Sequence, residues 1–333
     1  MAKKKTKSSL EYWKDREEVQ RQKNITEENV YNKAISEIHS KMYESIRREI
    51  YDFYVKYAKD ESISLADAKK RVSKFDVEAF AEKAAMYVNS KDFSDKANQE
   101  LRLYNLTMKI NRLELLKSRI GIDMVGSYDE LEKMFGDKLN DRILSEFERQ
   151  AGILGRSVIN PEKLAHSIVN ASFHNATFSD RIWAHHDLLR SNLDSILRRA
   201  LIQGLNPKSL TSKVMPLISD EVKKNKRASA ETLLRTELCR VQTDAQMKSY
   251  ERNGYDAYMN LAEPTACPQC KALDGKTFKL NEMAIGKKAP PMHPNCRCST
   301  AAAVDDEEYE RWFYKETGQH SSAFELGVWG NNN

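Results

Sequence analysis

The sequence predicts a mainly α protein: long helices form an extended or bundled body, and a small α+β, cysteine-rich module lies near the C-terminus. Two observations predict this class. The first 120 residues contain neither glycine nor proline, on which turns and hairpins depend. Five of the eight prolines and four of the five cysteines fall between residues 264 and 298, where the character of the chain changes.

Three long helices are predicted in the first half of the chain. The first follows Thr26 for about thirty residues, with apolar residues repeating every three to four positions. The second is marked by apolar residues from Leu103 to Ile120 and ends at Gly121, in the position that glycine favours after a helix. The third opens with "SYDE" at 127–130, which has the form of a capping box. The buried face of the first helix is predicted to carry Ile38, Met42, Ile46, Ile50 and Phe53.

The second half is predicted to be helical up to Gly254 and mixed beyond it. Helices are expected from Ser179 to Gly204, over 207–217 and over 229–253. Residues 255–261 alternate in polarity and predict a strand, and a second strand over 276–280 follows the Asp-Gly turn at 274–275. A last helix is expected over 305–317.

The predicted domains follow from these changes along the chain. They are a basic, disordered arm at 1–25, a long-helix domain at 26–157, a helical core at 158–254, the cysteine/histidine module at 255–303, and a terminal helix and tail at 304–333.

Composition and charge exclude some classes and leave others open. The 333 residues are 40% hydrophobic, enough for a packed core, but no run of about eighteen apolar residues predicts a membrane span. The basic N-terminus is followed by "LEYWKDREEVQRQ" and not by an apolar stretch, so a secretory signal is not expected. The protein is therefore expected to work in a reducing cytoplasm. The net charge of +5 permits contact with nucleic acid without predicting it.

Two basic clusters are candidates for sequence-independent contact with DNA. A solvated surface is the simpler interpretation of both clusters, and phosphate contact is the alternative. Their candidate residues are Lys3, Lys4, Lys5, Lys223, Lys224, Lys226 and Arg227.

The densest chemical signal is the set of soft ligands in the module. A Cys-x2-Cys pair, Cys267 and Cys270, is followed, after 22 intervening residues, by His293, Cys296 and Cys298. Thiolate and imidazole ligands at this spacing suit a tetrahedral Zn²⁺. A module of about fifty residues buries little apolar surface, so we expect a structural zinc ion to stabilise it.

Five candidate ligands exist for four positions, and the sequence does not select among them. The favoured set is Cys267 and Cys270 with Cys298 and either His293 or Cys296. Disulfides or free thiols are the main alternative, and a catalytic metal is the weaker one. Cys239, in the middle of a predicted helix, is interpreted as a buried structural cysteine.

Three motifs in order resemble the minor head protein (head-morphogenesis, Mu F-like) family of tailed bacteriophages. They are Arg235-Thr236-Glu237 on a predicted helix, then "CPQCKALDGK" at 267–276, then "HPNCRC" at 293–298. The resemblance covers roughly residues 178–300. The role of the Arg-Thr-Glu signature stays open; by helical spacing alone, Glu231 and Arg235 form an ordinary i,i+4 pair.

The resemblance implies a low-copy structural protein of the virion, not an enzyme. Such a protein is made in the host bacterial cytoplasm and incorporated inside the head near the portal vertex. The implied partner is the portal protein. Scaffold protein, major capsid protein and non-specifically bound DNA are further possible partners, and no contact with a membrane is implied. Two alternatives remain at this point: a non-specific nucleic-acid-binding protein stabilised by structural zinc, and a metal-dependent nuclease.

Overall fold

The fold is given by a computed structural model, which describes residues 9–57, 65–90, 93–107, 111–205, 209–303, 314 and 318. Within these residues the chain is mainly helical and ends in a small sheet, as the sequence predicts. No helix in the described ranges is long and apolar enough to cross a membrane. The predicted terminal helix at 305–317 lies outside the described residues, apart from Tyr314.

The helices account for most of the described chain. They are α1 (Ser9–Tyr57), α2 (Leu65–Ala68), α3 (Lys74–Ser90), α4 (Asp95–Thr107), α5 (Arg112–Leu154), α6 (Pro161–Val169), α7 (Phe178–Ile202), α8 (Met215–Lys224), α9 (Thr232–Arg252) and α10 (Pro268–Lys271). Two π-helical segments flank α8, Leu210–Val214 and Asn225–Glu231, and a 3₁₀ turn covers Leu280–Glu282.

Three antiparallel strands form the sheet in the order β2-β1-β3. They are β1 (Ala257–Leu261), β2 (Thr277–Lys279) and β3 (Ser299–Ala303). Tyr258 in the central strand lies opposite Phe278 on one side and Ala302 on the other. The first two strands confirm the predicted ones. The sequence does not predict β3, because "STAAA" contains one β-branched residue, Thr300, and no aromatic residue.

The described chain divides into two compact units, each made of more than one segment. Unit 1 takes the described residues of 1–29, 138–171 and 234–333, and unit 2 takes those of 30–137 and 172–233. The helices α1 and α5 each have residues in both units, and the domain boundaries at 157 and 254 stay a prediction.

Unit 2 has an apolar core of the predicted kind. All five residues of the face predicted on the first helix are buried. In α7, whose helix the sequence also predicts, Ile182, Trp183, Leu189, Leu193, Ile196, Leu197 and Leu201 are buried. The amide of Asn225 lies at its polar centre, where Oδ1 accepts a hydrogen bond from the Tyr128 hydroxyl at 2.8 Å and Nδ2 donates to the His185 carbonyl at 3.1 Å.

Unit 1 is built around α9, which lies against the sheet and its loops. The Tyr250 hydroxyl donates to the carbonyl of Thr300 at 3.0 Å, and Gln246 bonds the Thr300 hydroxyl at 2.7 Å. Met247 and Tyr250 pack with Tyr258 in a small apolar cluster. The module is therefore completed by a helix that precedes it in the chain.

Several predicted helix boundaries are wrong. Residues 9–25 are helical, not a disordered arm, and Thr26 lies inside α1, where its hydroxyl donates to the carbonyl of Gln22 at 3.0 Å. Gly121 lies inside α5 and does not end a helix. The Ser127 hydroxyl donates to the Asp123 carbonyl within the same helix at 3.1 Å, so "SYDE" is not a capping box. Local end signals are overridden where the chain packs on both sides of them.

Candidate metal centre

The first two candidate ligands are positioned by the short helix α10. Cys267 precedes this helix, Pro268 occupies its first position, and the Lys271 N–H donates to the Cys267 carbonyl at 2.9 Å. Cys270 follows within the turn and is buried. This turn brings both sulfur atoms to one imidazole nitrogen.

That nitrogen belongs to His293. Its Nε2 lies 3.3 Å from Sγ of Cys267 and 3.4 Å from Sγ of Cys270. The Sγ atom of Cys296 lies 3.9 Å from Sγ of Cys270. The fold therefore brings the Cys-x2-Cys pair close to His293 and Cys296.

The ligand atoms form two triplets that share one cysteine. Cys267, Cys270 and His293 make the first, and Cys270, Cys296 and Cys298 make the second, with all atoms of a triplet within 4.8 Å of one another. The five residues predicted from the sequence could hold a metal ion, and Cys270 is common to both possible sets.

The imidazole of His293 is held in the orientation that a metal ligand needs. Its Nδ1 lies 2.8 Å from the carbonyl oxygen of Pro294, so an N–H at Nδ1 donates to that oxygen. In this tautomer Nε2 carries a lone pair and faces the two sulfur atoms. A backbone carbonyl on the second ring nitrogen is a usual support for a metal-bound histidine.

The thiols differ in how readily they lose their protons. Hydrogen bonds from Cys239 and Cys298 lower the pKa of Cys296, whereas burial, reinforced by Cys296, raises the pKa of Cys270 to about 12. A hydrogen bond from the Cys270 backbone lowers the pKa of Cys267. The thiolate is the form that would bind a metal ion.

Cys239 lies beside this cluster, a position that the sequence does not predict. It is buried, as predicted, but it packs with Cys270, Cys296 and Cys298, and its Sγ donates to the Cys298 carbonyl at 3.5 Å. The available signal was spacing: Cys239 follows Thr236 by three residues and so lies on the helix face that carries the signature.

Three of the observed separations are close to those expected around a tetrahedral ion. With Zn–S near 2.3 Å and Zn–N near 2.0–2.1 Å, tetrahedral geometry places two sulfur ligands about 3.8 Å apart and a sulfur and a nitrogen about 3.6 Å apart. The Cys270–Cys296 separation of 3.9 Å and the two Cys–His293 separations of 3.3 and 3.4 Å lie within a few tenths of these values. The donor set, sulfur and imidazole nitrogen, suits a borderline-soft cation.

The Arg-Thr-Glu signature lies against the same loop. Arg235 Nε donates to Glu28 at 2.9 Å, and its NH1 donates to the side-chain oxygen of Asn295. The Thr236 hydroxyl accepts the Asn295 backbone N–H at 3.1 Å. The predicted pair of Arg235 with Glu231 is wrong, because the guanidinium pairs with Glu28.

The third residue of the signature is fully buried. Glu237 accepts a hydrogen bond from Arg240 Nε at 2.6 Å. Arg240 is 2% exposed, and its NH1 also donates to the Ile168 carbonyl at 3.2 Å, near the end of α6. This buried pair fixes α9 to α6 within unit 1.

The candidate DNA-contacting residues do not form one free basic surface in the described part of the chain. Lys3, Lys4 and Lys5 lie outside the described residues, and so does the side chain of Arg227. Among the others, Lys223 is exposed, Lys224 pairs with Glu221 at 2.9 Å, and Lys226 lies 3.9 Å from Glu231. The described lysines thus share their helix surface with carboxylates, and DNA contact stays a prediction.

A cavity of about 630 Å³ in unit 1 lies beside the cysteine cluster. Its lining includes Arg235, Cys239, Cys296 and Arg297, together with six acidic side chains and six basic ones in all. Because these charges balance, the cavity does not favour an anionic ligand such as phosphate.

A third group of potential ligands, in unit 2, has a simpler explanation. It contains Glu100, His186 and Asp187. Both carboxylates already face Arg190, at 3.0 and 3.7 Å. His186 is fully buried and packs edge-on to Tyr128, so packing explains its position.

The helical architecture and the converging cysteine and histidine ligands define a helical protein with a compact metal-ligand module. Residues 191–301 match the family of phage Mu protein F like proteins, so the resemblance is confirmed over that range. No curated protein and no solved structure matches the chain.

Proposed function

We propose that the protein is a minor head protein of a tailed phage, incorporated into the procapsid at or near the portal, with a structural and not an enzymatic role. The single observation that carries this proposal concerns the three ordered motifs. All of their residues lie within the Mu F-like match, and all three motifs lie in unit 1. The buried Glu237–Arg240 pair and the thiol cluster are typical of a structural element.

The proposed partner is the portal protein, and the test is incorporation. Procapsids assembled with and without portal protein are purified, and the amount of this protein in each is compared by immunoblotting. We expect it in portal-containing procapsids and a loss of at least ten-fold without portal. Equal amounts in the two preparations would contradict the portal assignment.

We further propose that Cys267, Cys270, His293 and Cys296 bind one structural Zn²⁺. The separations of His293 Nε2 from the sulfur atoms of Cys267 and Cys270, and of the Cys270 sulfur from that of Cys296, support this set. The sheet has strands of only five, three and five residues. Structural zinc contributes an apparent ~10–16 kcal/mol, far more than so small an apolar core supplies.

Metal content tests this assignment. The full chain is purified without a histidine tag under reducing conditions, and zinc and titratable thiols are measured per chain. We expect about one zinc, thiols that become titratable only after chelation, and loss of zinc in Cys296→Ser. Cys298→Ser is the matched control and should keep the metal; the reverse result would assign Cys298 in place of Cys296.

A further inference from the structure

The loop that carries two of the proposed ligands has a specific connection to α9. Asn295 lies between His293 and Cys296 and has a positive φ of 66°. This left-handed conformation turns the chain, and asparagine adopts it more readily than most residues do. Whatever holds Asn295 therefore sets the direction of the two ligands beside it.

Two residues of α9 hold Asn295, one at its backbone and one at its side chain. The Thr236 hydroxyl accepts the Asn295 N–H at 3.1 Å, and Arg235 NH1 donates to its side-chain oxygen. The separation along the chain is 59 residues for Thr236 and 60 for Arg235. These bonds cannot come from the local geometry of the loop alone.

We propose that Arg235 and Thr236 are positioning residues for the metal centre, which hold the loop of His293 and Cys296 in its metal-binding conformation. This inference rests on the proposed zinc site, and it assigns a role to the Arg-Thr part of the signature. Residues that orient metal ligands from outside the coordination shell change metal affinity by about 10- to 100-fold when they are removed.

The remaining residue of the signature makes the support rigid. Glu237 pairs with Arg240, which also donates to the carbonyl oxygens of Ile168 at 3.2 Å and Val169 at 3.5 Å. Thr236 is therefore part of a helix segment anchored from its other side. One turn of α9 joins the metal loop to the end of α6.

The experiment compares zinc affinity in variants of the full chain. Thr236→Val keeps the size of the side chain and removes the acceptor for the Asn295 N–H, whereas Thr236→Ser keeps the hydroxyl. Thr243→Val is the control for the chemistry of the change: Thr243 is buried on α9, two turns further along. Affinity is measured by competition with a chromogenic chelator, and Co²⁺ replaces zinc to report ligand geometry by its visible absorption spectrum.

We expect Thr236→Val to bind zinc about 10- to 100-fold more weakly, with an altered Co²⁺ spectrum. Thr236→Ser should bind within about three-fold of wild type, and Thr243→Val should show the wild-type spectrum. Arg235→Lys keeps the charge but cannot donate to both Glu28 and Asn295 as the guanidinium does. It is therefore expected to resemble Thr236→Val.

The outcomes separate this inference from the zinc assignment. If wild type binds no zinc, the zinc assignment fails before any variant is compared. If wild type binds zinc and Thr236→Val binds it with equal affinity and spectrum, the positioning role is overturned and the zinc site stands. A Thr243→Val effect as large as that of Thr236→Val would also overturn it, because the effect would then belong to the helix as a whole.

Discussion

The carboxylate of Glu28 lies 2.7 Å from Arg297 NH2, although the two residues are 269 positions apart in the chain. The same carboxylate accepts from Arg235 Nε at 2.9 Å. Burial alone would raise the pKa of Glu28, but the hydrogen bonds from Arg297 and Arg235 outweigh it and lower the pKa. One carboxylate thus connects the N-terminal part of α1 to both the signature helix and the metal loop.

Replacing Glu28 should loosen this connection. Glu28→Gln leaves two partly buried guanidinium groups without their counter-charge, and we expect it to reduce the free energy of unfolding by about 2 kcal/mol. Glu44→Gln is the control, because Glu44 pairs with Arg47 on the surface at 2.6 Å and should matter by less than about 0.5 kcal/mol. Urea unfolding of wild type and the two variants measures both changes in the free energy of unfolding. Equal changes would show that the Glu28 contacts contribute no more to stability than a surface pair does.

The buried pair of Glu237 and Arg240 predicts a non-additive double mutant. Arg240→Met should cost about 3–5 kcal/mol, because it leaves the carboxylate of Glu237 buried without its guanidinium. Combining it with Glu237→Gln removes the buried charge and should recover part of that loss. Denaturant unfolding of both singles and the double gives the coupling. A double mutant that loses the sum of the two single effects would contradict the interpretation.

Two glycines of α5 should respond in opposite directions to alanine. A Cβ at Gly121 would overlap the ring of the buried Tyr104, whereas nothing lies within 4 Å of a Cβ at Gly152. Alanine gains up to about 1 kcal/mol in a helix, but overpacking costs about 1–3 kcal/mol. We therefore expect Gly121→Ala to destabilise by about 1 kcal/mol and Gly152→Ala to stabilise by about 0.5–1 kcal/mol in thermal or urea unfolding.

The steric origin of the first effect can be checked directly. In a Tyr104→Leu background the ring is absent, so Gly121→Ala should no longer destabilise. A loss that persists in this background would mean that the glycine is needed for another reason.

Asp76 should make unit 2 sensitive to acid. Burial would raise its pKa, but hydrogen bonds from Lys56, Ser73 and Tyr57 lower it to about 2 from its ordinary 3.8. Below the ordinary value, the unfolded chain takes up a proton that the folded chain does not, so this stabilisation is complete above about pH 5 and is lost as the pH falls towards 2. A shift of this size corresponds to about 2 kcal/mol.

The measurement is the difference in unfolding free energy between wild type and Asp76→Asn at a series of pH values. It should be about 2 kcal/mol at pH 6 and should shrink towards zero as the pH falls to 2. Asp52→Asn, at an exposed position of α1, should match wild type throughout. A difference for Asp76→Asn that does not change with pH would rule out the ion-pair explanation.

The sequence predicts the elements of this fold better than their ends and their partners. Apolar periodicity identifies the buried face of α1 from Ile38 to Phe53 and the whole of α7, because in both helices burial is apolar. It fails for the side of α9 that meets the module, where contacts are made by Thr236, Gln246 and Tyr250 through hydrogen bonds. A polar interface leaves no hydrophobic pattern to find.

The candidate ligands were predictable and their support was not. Cysteine and histidine spacing identifies the five ligand candidates because metal chemistry restricts both residue type and separation. Glu28 carries no such signal, since its partners Arg235 and Arg297 are more than two hundred residues away. Contacts at this range depend on how the helices pack, which no local pattern encodes.

The discontinuous composition of unit 1 has a consequence for the order of events on the ribosome. Arg21, Lys14 and Glu28 are synthesised more than two hundred residues before the residues with which they pair, which are Glu263, Asp274 and Arg297. At about 5–20 residues per second, a nascent chain carries these three residues of α1 for roughly 10 to 60 s before those partners exist. Unit 2 is complete in the nascent chain by residue 233, so it can fold while unit 1 is still being translated.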